Sequence, residues 1–170
     1  QPIAQFLAAF PANLLFPIFV FIIVSWRLEP DIWLSPLMIF GTQWYILFNV
    51  IAGASALPGE LRDIATNLRV RGWLWWRKVA LPGVFPYFIT GAITASGGSW
   101  NASIVAEYVT WGDNTLTANG IGSYIAKATV NGDFHRIALG VAVMSLFVVV
   151  INRAVWRPLY RYAERKFQLN

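Results

Sequence analysis

The sequence contains no cysteine and only one histidine, His135, among its 170 residues. Disulfide bonds and thiolate metal sites are therefore excluded, and one histidine without cysteine partners makes a poor metal site. The sequence also shows no nucleophile–base pair, no paired carboxylates and no phosphate-binding loop. We therefore predict no catalytic residues, no metal site and no cofactor.

Charged residues are scarce as well. They make up 12% of the chain, against 57% hydrophobic residues, whereas about one quarter of a soluble domain is charged. A transmembrane helix needs about 20 mostly apolar residues to cross a hydrocarbon core of ~30 Å. We predict an all-α, polytopic transmembrane helical bundle rather than a large soluble core. The four predicted spans are residues 4–26, 33–57, 83–109 and 135–156.

The start of the sequence does not resemble a signal peptide. It has no basic n-region and no small-residue cleavage site, and it lacks an initiator methionine. The chain enters an apolar span almost at once. We therefore expect an N-terminally incomplete piece of a longer protein.

The 13 Lys and Arg residues are distributed unevenly. Five lie in residues 58–82, which we call the basic loop, and five lie in the tail, residues 153–166. By the positive-inside rule the basic loop and the C-terminus are predicted to be cytoplasmic, and residues 110–134 to be periplasmic. This topology explains the net charge of +5, so no nucleic-acid partner is predicted.

The tail carries four arginines at a spacing of four residues, interleaved with apolar and aromatic side chains. Such an amphipathic basic segment is typical of an anchor to the lipid of the inner leaflet. Docking of a partner protein is the alternative that the pattern leaves open. The arginines are Arg153, Arg157, Arg161 and Arg165.

The basic loop has the pattern of two short helices. An apolar stripe with helical spacing runs along its first part, and Gly72 interrupts the pattern. Leu81-Pro82 is expected to end the second helix, because the residue before a proline avoids the α region. We expect such an elbow to seat in a groove of another protein. The stripe consists of Leu61, Ile64, Ala65 and Leu68.

Polar side chains occur within the second and third spans. Amides in hydrocarbon are costly, so they are expected to face protein or water; hydrogen bonding between helices and contact with a substrate both fit. Gly97-Gly98 predicts either a helix break that frees backbone N–H groups for a ligand or a close approach of another backbone. The candidate substrate-pathway residues are Gln43, Asn49, Ser99, Trp100, Asn101 and Ser103.

The basic loop resembles the cytoplasmic "EAA" loop of the permease subunits of ATP-binding-cassette (ABC) importers. That pattern is Glu-Ala-Ala, three residues, Gly, nine residues, then Ile-x-Leu-Pro. Here Asp63-Ile64-Ala65 stand at Glu-Ala-Ala, Val79 at the isoleucine and Leu81-Pro82 at Leu-Pro, with the spacing kept. Arg69 stands where the family has glycine, and this is the main departure.

The resemblance extends over nearly all 170 residues. The order of the spans, the "GIGSYI" segment and the "AERKF" ending are similar to nitrate/sulfonate/bicarbonate-type permeases. The stretch "SGGSWNASIVAEYVTWG" is similar to duplicated anion permeases, in which one polypeptide carries two permease halves. This implies a type I ABC importer permease fold with a cytoplasmic coupling helix, in a bacterial inner membrane.

The resemblance also implies partners. The basic loop would dock on cytoplasmic ABC ATPase subunits, which hydrolyse ATP, so the chain itself is no enzyme. A periplasmic substrate-binding protein would deliver a small anion, and a second permease half, fused or separate, would complete the passage. The implied ATPase-coupling residues are Leu61, Arg62, Asp63, Ile64, Ala65, Leu68, Arg69, Gly72, Leu81 and Pro82.

Two other functions fit parts of the sequence. A secondary transporter driven by an ion gradient would explain the polar third span, but it normally needs acids or bases within the bilayer, and Glu107 near an interface is the one candidate. A membrane scaffold without transport would explain the basic loop as an interfacial anchor. The Leu-Pro spacing and the polar third span argue against a scaffold.

Overall fold

The computed structural model describes residues 12–167 of the chain. Helices dominate the described chain, as expected where backbone N–H and C=O groups must find partners within the chain to enter lipid. A short 3-10 turn, Ala12–Leu15, comes first. The elements that follow are α1 (Phe16–Ser25), α2 (Pro30–Trp33), α3 (Ser35–Ser55), α4 (Gly59–Asn67), α5 (Trp73–Ala106), β1 (Tyr108–Trp111), β2 (Asn114–Thr117), α6 (Ile121–Val130) and α7 (Phe134–Phe167).

Three helical stretches within residues 12–167 are long and apolar enough to cross a membrane. They are Pro30–Ser55, Trp73–Ala106 and Phe134–Phe167. α1 is also apolar but is 10 residues long. The predicted span 4–26 lies partly outside the described residues, and each of the other three predicted spans falls largely on one of the long helices. The all-α, polytopic class is confirmed.

The described residues form two compact units. The first combines the chain up to Trp44 with Ser96–Val149, and the second combines Tyr45–Ala95 with the chain from Val150 onward. The core of the first unit packs α1 against the start of α3 and against the region that follows α5. Its buried side chains are Val20, Ile23, Leu34, Leu37, Ala106, Val109 and Ala118.

A β-hairpin in the first unit adds a short element that the sequence did not lead us to expect. β1 and β2 pair antiparallel, with Val109 opposite Leu116 and Trp111 opposite Asn114. Gly112 in the connecting turn has a φ of +58°, a conformation that glycine adopts readily and other residues avoid. The hairpin directs the chain from the end of α5 toward α6.

In the second unit, α3 and α5 approach each other closely at two glycines. A Cβ atom on Gly91 would lie 2.9 Å from the Cα of Ile46 and 2.9 Å from the carbonyl oxygen of Tyr45. A Cβ atom on Gly53 would lie 2.6 Å from a ring carbon of Tyr87. Small residues allow such close backbone contact between membrane helices. The α3–α5 contact therefore depends on glycine at both positions.

The C-terminal part of α7, Arg157–Phe167, packs within the second unit and is called the tail helix below. Ala163 on this helix is completely buried, and the ring centroid of Phe167 lies 5.1 Å from that of Phe85 on α5. Protein therefore covers the tail helix at these positions. Its arginines are exposed, and their contact with lipid remains a prediction.

The expectation that Leu81-Pro82 ends a helix is wrong, because α5 continues through this pair. A π-helical turn, Trp76–Ala80, comes directly before it. A second π-helical turn, Asn152–Trp156, stands in the same position before Pro158 in α7. In a regular α-helix a proline ring clashes with the carbonyl four residues earlier, and a wider turn relieves that clash. The boundaries of the basic loop change accordingly, since its last residues are the first turns of α5.

The predicted break at Gly97-Gly98 is also wrong. The helical segment Leu81–Ala106 is continuous through both glycines. A Cβ atom on Gly97 would meet nothing within 4 Å, so the space on that side of Gly97 is open among the described residues. The helix therefore keeps its N–H groups in its own hydrogen bonds beside Ser99.

We expect Gly91→Ala to destabilise the protein. The new methyl group would displace the backbone of α3, at a cost of roughly 1–3 kcal/mol. Gly97→Ala is the matched control, because it makes the same change on the same helix in open space, where alanine favours the helix by about 1 kcal/mol. Thermal unfolding of the full-length protein in nanodiscs measures both. Equal melting temperatures for the two variants would contradict the α3–α5 contact.

Candidate functional site

α4 and the turn that ends it form the first half of the basic loop. The helix ends in a Schellman motif, in which the N–H of Arg69 donates to the carbonyl of Thr66 at 3.0 Å. In the same motif the N–H of Val70 donates to the carbonyl of Ala65 at 2.7 Å. These bonds satisfy carbonyl groups that a helix end otherwise leaves without partners. The direction in which the chain leaves α4 is therefore fixed.

Arg69 occupies the left-handed position of this motif. Its φ is +54°, in a region that costs a residue other than glycine roughly 1–2 kcal/mol. The same residue stands at the glycine of the EAA pattern, so the turn keeps the backbone geometry of a glycine despite the arginine. Gly72 also has a positive φ, +58°, and begins the turn into α5.

The predicted apolar stripe of α4 is divided between protein and solvent. Ala65 is buried and Leu61 is half-buried, whereas Ile64 is 53% exposed and Leu68 is 71% exposed. We call Ile64 and Leu68 the exposed pair. Ile64 on α4 and Leu68 at its C-cap are one helical turn apart and offer a compact contact surface for a partner.

Two charged residues, Arg62 and Asp63, precede the exposed pair on α4. A guanidinium nitrogen of Arg62 donates to the carbonyl of Ala54 at 3.4 Å, which ties α4 to the end of α3. Asp63 is exposed. Within residues 12–167 it forms no ion pair, and the ion pair that is present joins Arg136 and Asp133 at 3.2 Å. The carboxylate of Asp63 is therefore open to a partner.

The second half of the basic loop forms the first turns of α5. Trp73 is 74% exposed and Trp76 is 54% exposed, and the rings of Trp75 and Trp76 meet edge to face at 5.4 Å. Leu81 is 54% exposed, whereas Pro82 is half-buried. Exposed tryptophans at the end of a membrane helix are typical of the lipid–water interface.

The candidate pathway residues are divided between the two units, with Asn49 in the second unit and the others in the first. The amide of Asn49 donates to the carbonyl of Tyr45 at 2.8 Å, within its own helix. In the first unit the hydroxyls of Ser99 and Thr42 lie 3.4 Å apart, a contact between α5 and α3. Sequence reasoning missed Thr42, which is buried, while Gln43 beside it is half-buried.

Ser103 and Asn101 differ in their surroundings. Ser103 is buried and donates to the carbonyl of Trp100 at 2.8 Å, and its own carbonyl group lies directly against Gly122 of α6. Ser103 therefore belongs to a helix contact. Asn101 is exposed and Trp100 is half-buried, so Asn101 presents its amide outward from α5.

The carboxylate of Glu107 lies at the N-terminus of α6, a contact that its sequence pattern did not indicate. One of its carboxylate oxygens accepts the N–H of Ser123 at 2.9 Å. The same carboxylate lies directly against Gly120 and Gly122, where a Cβ atom would overlap it. A carboxylate at a helix N-terminus is favoured by the free N–H groups and the helix dipole. The acid that a gradient-driven transporter would need therefore has a structural role.

Asp31 links α2 to the segment between β2 and α6 within the first unit. Its carboxylate accepts the backbone N–H of Asn119 at 2.7 Å and the side-chain amide of the same residue at 2.9 Å. These residues are 88 positions apart in the sequence. Neither was singled out by its sequence pattern, because the pair exists only once the chain has folded.

The sequence matches a family of membrane transport proteins over residues 1–167, and the family is described as "Binding-protein-dependent transport system inner membrane component". The chain belongs to this family. The prediction of an ABC importer permease is thereby confirmed.

Proteins similar to this chain include permeases named for nitrate import and bicarbonate transport. The nitrate import permease protein NrtB of Leptolyngbya laminosa is 30% identical over 112 residues, 66% of this chain and 38% of that protein. The bicarbonate transport system permease protein CmpB of Synechococcus elongatus is 33% identical over 112 residues, which are 66% of this chain and 38% of that protein. The nitrate import permease protein NrtB of Synechococcus elongatus is 24% identical over 159 residues, 91% of this chain and 53% of that protein. The chain thus spans between 38% and 53% of the length of these permeases.

We expect Arg69→Gly to stabilise the end of α4 in this permease. Glycine relieves the left-handed strain but adds freedom to the unfolded chain, which leaves a net gain of roughly 0.5–1 kcal/mol. Arg71→Gly is the matched control, because it removes the same side chain where φ is not positive, and it should cost roughly 0.5–1 kcal/mol. Hydrogen exchange of the amides of residues 64–70 measures both. Slower exchange in Arg71→Gly than in Arg69→Gly would refute the Schellman turn.

Proposed function

We propose that the chain is part of the permease subunit of an ATP-driven ABC importer that moves a small oxyanion across a bacterial inner membrane. The basic loop couples transport to separate cytoplasmic ATPase subunits, which hydrolyse the ATP. A periplasmic binding protein delivers the substrate, and a second permease half, fused or separate, completes the passage. Family membership and the names of the nitrate and bicarbonate permeases support this proposal.

The exposed pair on α4 carries the proposal. The positive-inside count assigns α4 to the cytoplasm, where water and not lipid would surround Ile64 and Leu68. Two exposed apolar side chains in water favour a protein partner. We expect Arg62 and Asp63, which precede Ile64 on α4, to make polar contacts at the ATPase surface, as in the polar rim of other protein interfaces.

Coupling then follows from how α4 is attached. Only three residues separate α3 from α4, and the Schellman motif fixes the exit of α4 toward α5. Closure of an ATPase dimer around the exposed pair would therefore move α3 and α5 rather than bend a loose linker. The α3–α5 contact at Gly53 and Gly91 would carry that movement as one body through the second unit.

The passage is assigned to neutral polar groups of α5. Asn101 is exposed, and Ser99 stands beside Thr42 of α3, whereas the side chains of Ser103 and Asn49 bond within their own helices. Residues 79–126 contain no Lys or Arg. Amide and hydroxyl donors stabilise an oxyanion without holding it as tightly as a buried cation would.

We expect Asp63→Arg and Asn101→Leu to separate the two functions. Asp63→Arg replaces the carboxylate next to Ile64 by a cation and should reduce copurification of the ATPase roughly tenfold or more. Asn101→Leu should leave the ATPase bound and abolish uptake of the anion. Asp113→Arg, the same charge change in the hairpin turn, is the control and should keep the ATPase. Copurification and uptake into proteoliposomes measure these effects with the full-length permease.

Two results would refute these assignments. Normal ATPase binding by Asp63→Arg would remove the basic loop from the coupling contact. Normal uptake by Asn101→Leu would remove Asn101 from the passage.

A further inference from the structure

A cleft of about 640 Å³ lies in the second unit where α7 passes from its apolar stretch into the tail helix. Its walls come from the second π-helical turn, the tail helix and one residue of α5. Three of the six lining residues are arginines. The lining residues are Ile93, Asn152, Arg153, Arg157, Tyr160 and Arg161.

The charge of this cleft is strongly positive. Arg153, Arg157 and Arg161 follow one another at a spacing of four residues, and among the residues that the structure describes no Asp or Glu lines the cleft. Glu164, the acid on the tail helix, hydrogen-bonds Tyr160 and lines a different cavity, of about 310 Å³. Within residues 12–167 none of the three arginines forms an ion pair.

The cleft lies at the end of the apolar part of α7. The residues that precede it, 137–151, contain no charged side chain, so the cleft begins where the apolar part of a membrane helix ends. Ile93 adds an apolar wall. Three arginines and an apolar residue in the lining of one cleft match a molecule that joins a phosphate group to hydrocarbon.

We propose that this cleft binds the headgroup of an anionic phospholipid, with the three arginines on its phosphate and the acyl chains along α7 and Ile93. A free oxyanion has the same charge, but it would leave most of about 640 Å³ unfilled and would not use the apolar wall. Basic pockets between membrane helices on the cytoplasmic side are suited to such headgroups. The site is separate from the exposed pair, and the proposal does not depend on which substrate is carried.

Native mass spectrometry of the full-length permease with its partner subunits tests this proposal. The complex is delipidated in mild detergent and titrated with phosphatidylglycerol or phosphatidylcholine. Arg153→Gln/Arg157→Gln should reduce phosphatidylglycerol binding roughly tenfold or more. Arg165→Gln/Lys166→Gln removes the same charge from the tail helix outside the cleft and should bind as the unmodified protein does. Phosphatidylcholine should bind weakly and equally to all three.

The conservative variant Arg153→Lys/Arg157→Lys keeps the charge and should retain most of the phosphatidylglycerol, which separates loss of charge from loss of folding. If both Gln variants lost phosphatidylglycerol binding equally, the lipid would be attracted to the tail in general, and the proposed site in the cleft would be refuted. Unchanged binding in Arg153→Gln/Arg157→Gln would overturn it as well. Displacement of the lipid by millimolar inorganic phosphate would instead show a site for free anions.

Discussion

The contact between α3 and α5 is the constraint on which the basic loop depends. Gly53 and Gly91 let the two helices meet at van der Waals distance, and the loop joins those same two helices. Both of its ends are therefore fixed by one helix pair. In the proposed mechanism a short helix held in this way would transmit a push to the membrane helices, whereas a flexible loop of equal length would absorb it.

Three of the described helices end in a Schellman motif, and in two of them the residue with the left-handed backbone conformation is an arginine. Arg69 ends α4 and Arg27, with a φ of +49°, ends α1 through the same two bonds. Gly132 does so at the end of α6, with a φ of +67°. The need to satisfy terminal carbonyls therefore outweighs the strain at two positions. In the basic loop this gives the geometry of the family's glycine and adds an exposed cation close to the proposed ATPase contact.

The sequence predicted the features that depend on local pattern. The apolar runs predicted the long helices, and the spacing of the EAA pattern from Asp63 to Pro82 predicted the family. The continuation of α5 through Leu81-Pro82 was not predictable, because it depends on a π-helical turn that removes the usual proline clash. The Glu107–Ser123 and Asp31–Asn119 bonds join residues that are distant in the sequence. The contact of Ser103 with Gly122 of α6 likewise exists only in the folded chain, and the pathway role of Ser103 stays a prediction.

Cysteine labelling of α4 tests the central claim, that the exposed pair is the surface that meets the ATPase. The chain has no cysteine of its own, so Leu68→Cys and the buried control Ala65→Cys each add one thiol to it. Maleimide should modify Leu68→Cys quickly in the permease alone and at least roughly tenfold more slowly once the ATPase is bound. Ala65→Cys should react slowly in both states. Unchanged rapid labelling of Leu68→Cys in the assembled transporter would contradict the account.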